Sequence, residues 1–149
     1  MKADAKTEAA VRGMLDQFAE GYARRDKNAI LALFSPDPDM LCIGSGADEW
    51  RVGLGALEAQ VGRDLAQMQT MAVTYANPLV SAAGPVAWVA TECTVDVTAE
   101  GKQGRVTGRF TGVLEQRNGK WLFAQTHFSL PAAGQAPGQS LPSLSRSGK

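Results

Sequence analysis

The chain has 149 residues, enough for one domain with a substantial core, and its 15 Lys and Arg balance its 15 Asp and Glu. With no net positive field to gather phosphates, nucleic acid and membrane surfaces are not expected partners. No apolar run reaches the ~18–20 residues of a membrane-spanning helix, and the opening MKADAKTEAAV lacks a signal-peptide core, so a cytoplasmic protein is expected.

Asp4 is placed to cap a first helix running to about Arg25, with Val11, Met14, Leu15, Phe18 and Tyr22 on one face at spacings of three and four. The Arg24-Arg25 pair reads as a solvated helix end. Asp26 caps a short second helix whose buried positions are Ile30, Leu33 and Phe34. Ser35-Pro36-Asp37-Pro38-Asp39 breaks it. Met40 to Gly44 then form a first strand, Ser45 to Asp48 a loop, and Glu49-Trp50 its close. Leu54, Leu57, Val61, Leu65 and Met68 repeat at helical spacing through a third helix, Gly53 to about Gln69.

From Thr70 the period changes to two. A second strand runs to about Ser81, with Pro78 at an edge or bulge. Gly84-Pro85 turns the chain into a third strand, Val86 to Thr98, and Glu100 to Gly104 turns it again. Two further long strands, within Gly104 to Pro131, are joined by Asn118-Gly119, the strongest short hairpin signal. Gly108 and Gly112 interrupt the first of these, as at a bend or bulge. Residues 132–149, rich in Gly, Pro, Ser and Gln, read as a mobile tail in which Leu141-Pro142 is the one candidate docking point. Three helices followed by hairpin-linked strands give an α+β domain over residues 1–131, with the helices on one face of an antiparallel sheet.

Cys42 and Cys93 have no CxxC spacing and no nearby His, which predicts buried reduced thiols and no metal site. Neither a Rossmann fingerprint nor a phosphate-cradling loop appears, so no cofactor is expected; Gly53-Leu54-Gly55 lacks the rest of a dinucleotide motif.

The order helix, short helix, strand, helix, four strands resembles the nuclear transport factor 2-like (cystatin-like) superfamily. Asp26-x-x-x-Ile30-x-x-Leu33-Phe34, Glu49-Trp50-x-x-Gly53 and Gly119-Lys120-Trp121 through His127-Phe128-Ser129 resemble its SnoaL-like branch, and beyond it the association domain of calcium/calmodulin-dependent protein kinase II. The resemblance implies a sheet curled into a cone around a pocket, with a second subunit on its convex face. It puts Gly112 and Phe128 inward; by period two Phe110, Leu114, Ala124 and Thr126 follow, and Trp88, Ala90 and Glu92 are placed on the same wall. Arg109, Thr111, Trp121, Phe123, Gln125 and His127 then fall outward, and two large aromatics on an outer face imply a homodimer.

Steroid isomerases of this superfamily use an inward Tyr and two Asp, which fall here on Phe18, Cys42 and Gly112; that chemistry is not expected. The kinase association domain lines its pocket with arginines, which fall near Ala90 or Glu92, Gly112 and Phe128. The anion-binding charge is therefore absent. Glu92 is left as the candidate acid or base, its carboxyl set among Trp88, Phe110, Phe128, Trp50 and Tyr22. The ligand wall is read as Phe18, Tyr22, Cys42, Trp50, Trp88, Phe110, Gly112, Thr126 and Phe128. A register slip of one residue would substitute Arg109, Thr111 and His127. Three functions stay open: a pocket for a small, mostly apolar molecule; an enzyme (isomerase, dehydratase, cyclase or hydrolase) using Glu92; and an assembly module without a ligand.

Overall fold

In the computed structural model, which describes residues 1–144, the helices begin where the capping residues stand. The Thr7 amide donates to Asp4 Oδ1 at 2.7 Å ahead of α1 (Ala5–Ala23), and the Ala29 amide donates to Asp26 Oδ1 at 3.0 Å ahead of α2 (Lys27–Leu31). α1 buries Val11, Met14, Leu15 and Tyr22. After β1 (Leu41–Ile43) and β2 (Trp50–Val52), α3 spans Gly53–Gln67. Arg25, with a φ of 56°, turns back so that its guanidinium donates to the carbonyls of Leu65, Met68 and Gln69. It thereby supplies the cation that the last turn of α3 lacks, in a place that reads from sequence as a solvated helix end.

Three long strands and a fourth of ten residues complete the domain: β3 (Thr70–Ala83), β4 (Val86–Ala99), β5 (Lys102–Arg117) and β6 (Lys120–Ser129). Asn118 and Gly119 have φ of 49° and 78°, the left-handed pair that a two-residue hairpin turn requires. The six strands form one curved sheet in the order β2-β1-β6-β5-β4-β3, antiparallel except where β1 runs parallel to β6. α1 lies across β3, and the end of α2 is tied to β6 by paired amides, Ser35 to Phe123 and Phe123 to Leu33, each 2.8 Å. The architecture is α+β, with helices packed against a curved, mostly antiparallel sheet.

Three placements differ from the sequence reading. Trp50 begins an additional edge strand, β2, hairpinned to β1; Trp50 is 64% exposed and only Arg51 of that strand turns inward. On β4 the inward set is Ala87, Val89, Thr91, Cys93 and Val95, which leaves Trp88, Ala90 and Glu92 on the outer face. The cross-strand register requires this, because Val89 opposes Gly112 and Thr91 opposes Phe110, and directly opposed residues share a face. Both alternations of Val86-Ala-Trp-Val-Ala-Thr-Glu-Cys are largely apolar, so the pattern alone did not fix the parity.

The third difference is a bulge. The β5–β6 register passes from Val113 opposite Gln125 to Leu114 opposite Phe123, so Ala124 is skipped and the inward parity inverts. Thr126 and Phe128 point inward, and so, beyond the bulge, do Phe123, which is fully buried, and Trp121, which packs against the core. A second bulge falls at Asn77-Pro78 on edge strand β3, where the Arg12 guanidinium donates to the Pro78 carbonyl. From Pro131 to Leu144 the chain makes turns with no helix or strand, and Leu141 is 69% exposed rather than docked. Residues 145–149 of the expected tail lie outside the described residues. No helix among the described residues is long and apolar enough to cross a membrane.

Candidate functional site

The curl of β3 to β6 over α1 and α3 leaves a cavity of about 340 Å³. Its apolar body is built from Phe18 of α1, Met71, Val73 and Tyr75 of β3, Val95 of β4, Phe110 of β5 and Phe128 of β6. Two of these strands cross closely near Phe128: a Cβ on Gly108 would sit 2.3 Å from the Ser129 carbonyl oxygen and 2.7 Å from the Phe128 ring. Val106 and Leu130, 40% and 37% exposed, mark the mouth.

One side of the cavity is polar, and α3 supplies it. Gln60 and Asp64 stand on the same helical arc as Leu57 and Val61, so the helix that buries its apolar stripe also carries these two groups to the wall. The Tyr22 hydroxyl donates to Asp64 Oδ2 at 2.9 Å, and Gln60 Nε2 donates to Asp64 Oδ1 at 2.7 Å. Arg51 Nε donates to Gln60 Oε1 at 2.9 Å, which fixes the orientation of that amide. Arg63, the residue before Asp64, pairs with Asp48 and with Glu49 (3.0 Å) rather than with Asp64. Glu49 also accepts from the Gly46 amide at 2.9 Å and holds the β1–β2 loop against the cavity rim.

Burial in this wall raises the proton affinity of Asp64 above that of a free aspartate; the bonds from Gln60 and Tyr22 act in the opposite direction and do not cancel it. Burial and the adjacent Asp64 carboxylate push the Tyr22 phenol far up, so it remains a neutral donor. Cys42, which accepts from Thr126 Oγ1 at 3.1 Å, is raised chiefly by burial, and burial pushes Cys93 up to about 11; both stay thiols near neutral pH. Among the described residues no three His, Cys, Asp or Glu converge as a metal-binding group.

Of the residues named from sequence, Phe18, Tyr22, Cys42, Phe110, Thr126 and Phe128 line the cavity. Trp50, Trp88, Gly112 and Glu92 do not. Gly112 is buried behind the wall, where a Cβ would meet the Phe123 ring at 3.2 Å. Glu92 is exposed on the outer face, opposite Arg109 in the register, and is removed from any role in the cavity. Arg109, Thr111 and His127 are also exposed on that outer face; Arg109 Nε donates to Ser129 Oγ at 3.2 Å. The sequence reading missed Asp64, Gln60, Glu49, Arg51 and Tyr75. A signal for two of them was present: Gln60 and Asp64 fall three and seven residues after Leu57, polar groups on an arc otherwise reserved for burial.

The profile of the SnoaL-like domain matches residues 11–133. The chain belongs to the SnoaL-like family. No curated protein matches it. Among solved structures, a nuclear transport factor 2-like superfamily protein from Salmonella enterica serovar Typhimurium superimposes with a TM-score of 0.80 at 16% identity, covering 91% of this chain and 99% of that one. A provisionally named dehydratase of the same family from Streptomyces avermitilis gives 0.80 at 17% identity, with 88% and 100% covered. A provisionally named calcium/calmodulin-dependent protein kinase II association domain from Xanthomonas campestris gives 0.75 at 23% identity, with 89% and 91% covered. At these identities the likeness is one of fold, and function has to be argued from the site.

Proposed function

We propose that this SnoaL-like chain binds a small, mostly apolar molecule in its cavity and performs proton-transfer chemistry on it, with Asp64 as the acid or base. The observation that carries the reading is a carboxyl in the wall of an apolar cavity, with raised proton affinity, oriented from both sides by Tyr22 and Gln60. A general acid or base works best when its pKa lies nearer the working pH than a free carboxyl's, and burial moves Asp64 in that direction. Tyr22, a neutral donor bonded to the Asp64 carboxylate, lines the cavity with it and would be the donor next to a substrate oxygen bound at Asp64. Isomerisation or dehydration beside a carbonyl or hydroxyl is the reaction class this pair suits. The provisional name of the Streptomyces avermitilis protein agrees with that class.

Hydrogen–deuterium exchange at the α-carbon of β-tetralone, a small apolar ketone, tests the reading without knowledge of the natural substrate. Wild-type protein is expected to accelerate exchange in D₂O, and Asp64→Asn to lose that acceleration by about a hundredfold or more while still binding the ketone. Binding with no exchange would leave a passive carrier. Absence of binding would remove the cavity as a ligand site.

We also infer self-association through the outer sheet face. Trp88 and Val113, adjacent across β4 and β5 and 37% and 36% exposed, join Val86 in an uncovered apolar patch.

A further inference from the structure

Gln60, buried in the polar wall, has a partner at both ends of its amide. Oε1 accepts from Arg51 Nε at 2.9 Å and from Arg63 Nη2 at 3.1 Å. Nε2 donates to Asp64 Oδ1 at 2.7 Å and to Glu49 Oε1 at 3.3 Å. The two ends cannot be exchanged. A guanidinium has donors only and a carboxylate has acceptors only, so a rotated amide would face donors with donors and acceptors with acceptors. Arg51, carried in by edge strand β2, and Arg63, on α3 itself, therefore decide which end of Gln60 meets Asp64.

That orientation bears on where Asp64 carries a proton. Among the described residues, the carboxylate takes one side-chain donor on each oxygen, Gln60 Nε2 on Oδ1 and the Tyr22 hydroxyl on Oδ2. The remaining ionisable groups of this wall are engaged elsewhere: Glu49 with Arg63 and the Gly46 amide, Arg51 with Gln60, and Cys42 with Thr126. An amide nitrogen can only donate, whereas a hydroxyl can donate or accept. A proton on Oδ1 would leave the Gln60 amide against a hydroxyl, a weaker acceptor than a carbonyl or carboxylate oxygen. A proton on Oδ2 keeps a carbonyl oxygen for Gln60 and is received by Tyr22, whose hydroxyl turns round. We propose that Gln60 is a positioning residue, which holds Oδ1 as a permanent acceptor and confines the working proton of Asp64 to Oδ2, the oxygen shared with Tyr22. The inference rests on the reading of Asp64 as acid or base and adds the oxygen at which it works. In exchange beside a ketone, the α C–H bond breaks, its electron pair passes into the enolate, and the proton is received on Oδ2; return of a deuteron from the same oxygen restores the ketone.

The test uses two substitutions and one signal of the wild-type protein. Gln60→Met removes the amide and keeps an unbranched side chain; Gln60→Glu keeps an oxygen for both arginines and removes the donor to Asp64. Carbon-detected NMR of the Asp64 carboxyl should show a raised midpoint in both, since each loses a bond that favours the charged form. In wild type, the Gln60 amide proton bonded to Asp64 should stay downfield and protected on both sides of that midpoint. With β-tetralone as the probe, exchange at saturating ketone should fall about ten- to a hundredfold in both variants, with KM changed by less than about twofold. An unmoved or lowered midpoint in either variant overturns the inference, and so does loss of the amide proton's bond below the wild-type midpoint. A fall in melting temperature with the Asp64 titration and the exchange rate unchanged would make Gln60 merely structural, which also overturns it and leaves the acid–base reading intact. If wild type does not exchange β-tetralone, the acid–base reading fails, and the titration and the amide signal still decide whether Gln60 places the Asp64 proton.

Discussion

Asp64 illustrates how one residue's chemistry is set by what is packed around it. Burial favours its neutral form, and two hydrogen-bond donors favour the charged one; burial prevails. Because the folded-state pKa lies above the ordinary 3.8, Asp64 binds its proton more tightly in the folded protein than in the unfolded chain. Its contribution to stability is then complete below about pH 3.8 and is lost as pH rises through the folded value. Tyr22→Phe removes a donor to the carboxylate and should move the Asp64 titration higher still, extending that window upward. Carbon-detected NMR of the Asp64 carboxyl reads this directly. A midpoint at or below 3.8 in wild type, or a downward move in Tyr22→Phe, would contradict the balance described.

At the scale of elements, the site depends on how β5 and β6 cross. Glycine is required on β5 where the other strand or its rings approach the backbone, and the approach distances rank the positions. Gly108→Ala places a Cβ against a carbonyl of the neighbouring strand at 2.3 Å, and backbone cannot yield as a flexible side chain can. Its cost should be about 1–3 kcal/mol, typical of overpacking. Gly112→Ala meets side-chain rings, Phe123 at 3.2 Å and Phe110 at 3.5 Å, and should cost less, while Gly104→Ala, 3.7 Å from a Val97 methyl, should stay within about 0.5 kcal/mol. Urea unfolding of the three variants gives the order; equal costs would mean that the strands separate freely at this crossing. The bulge at Ala124 has a matching effect on the other strand, since it turns both Thr126 toward the cavity and Phe123 into the core.

For the whole molecule, the curved sheet has one face committed to helices and cavity and another left to solvent or a partner. The expected aromatics of that outer face, Trp121 and Phe123, pack inward instead; Trp88 takes their place there. If two copies associate through this patch, sedimentation velocity should show a dimer in wild type, and Trp88→Glu, a charge set into an apolar contact, should shift the protein to monomer. A wild-type monomer at tens of micromolar would remove the inference. The cavity faces the opposite side of the sheet, so the same variant should retain probe binding.

The helices, their caps, the Asn118-Gly119 turn and the α+β class were legible in the sequence, because each depends on interactions within a few residues: a carboxylate on an amide three positions ahead, a stripe at helical spacing, a positive φ at a turn. Phe18 and Tyr22 of the wall were legible from helical spacing, and Phe110, Thr126 and Phe128 from period-two alternation phased by the family resemblance, which holds on β6 up to the bulge at Ala124. The parity of β4, the bulge that inverts β6, and the capping of α3 by Arg25 were not. Each is decided by register or contact between segments far apart in the chain, where local alternation is silent. The chemistry of the site lies on that side of the division. Nothing near Asp64 in sequence announces Tyr22; only the packing of helix against curled sheet brings the pair together.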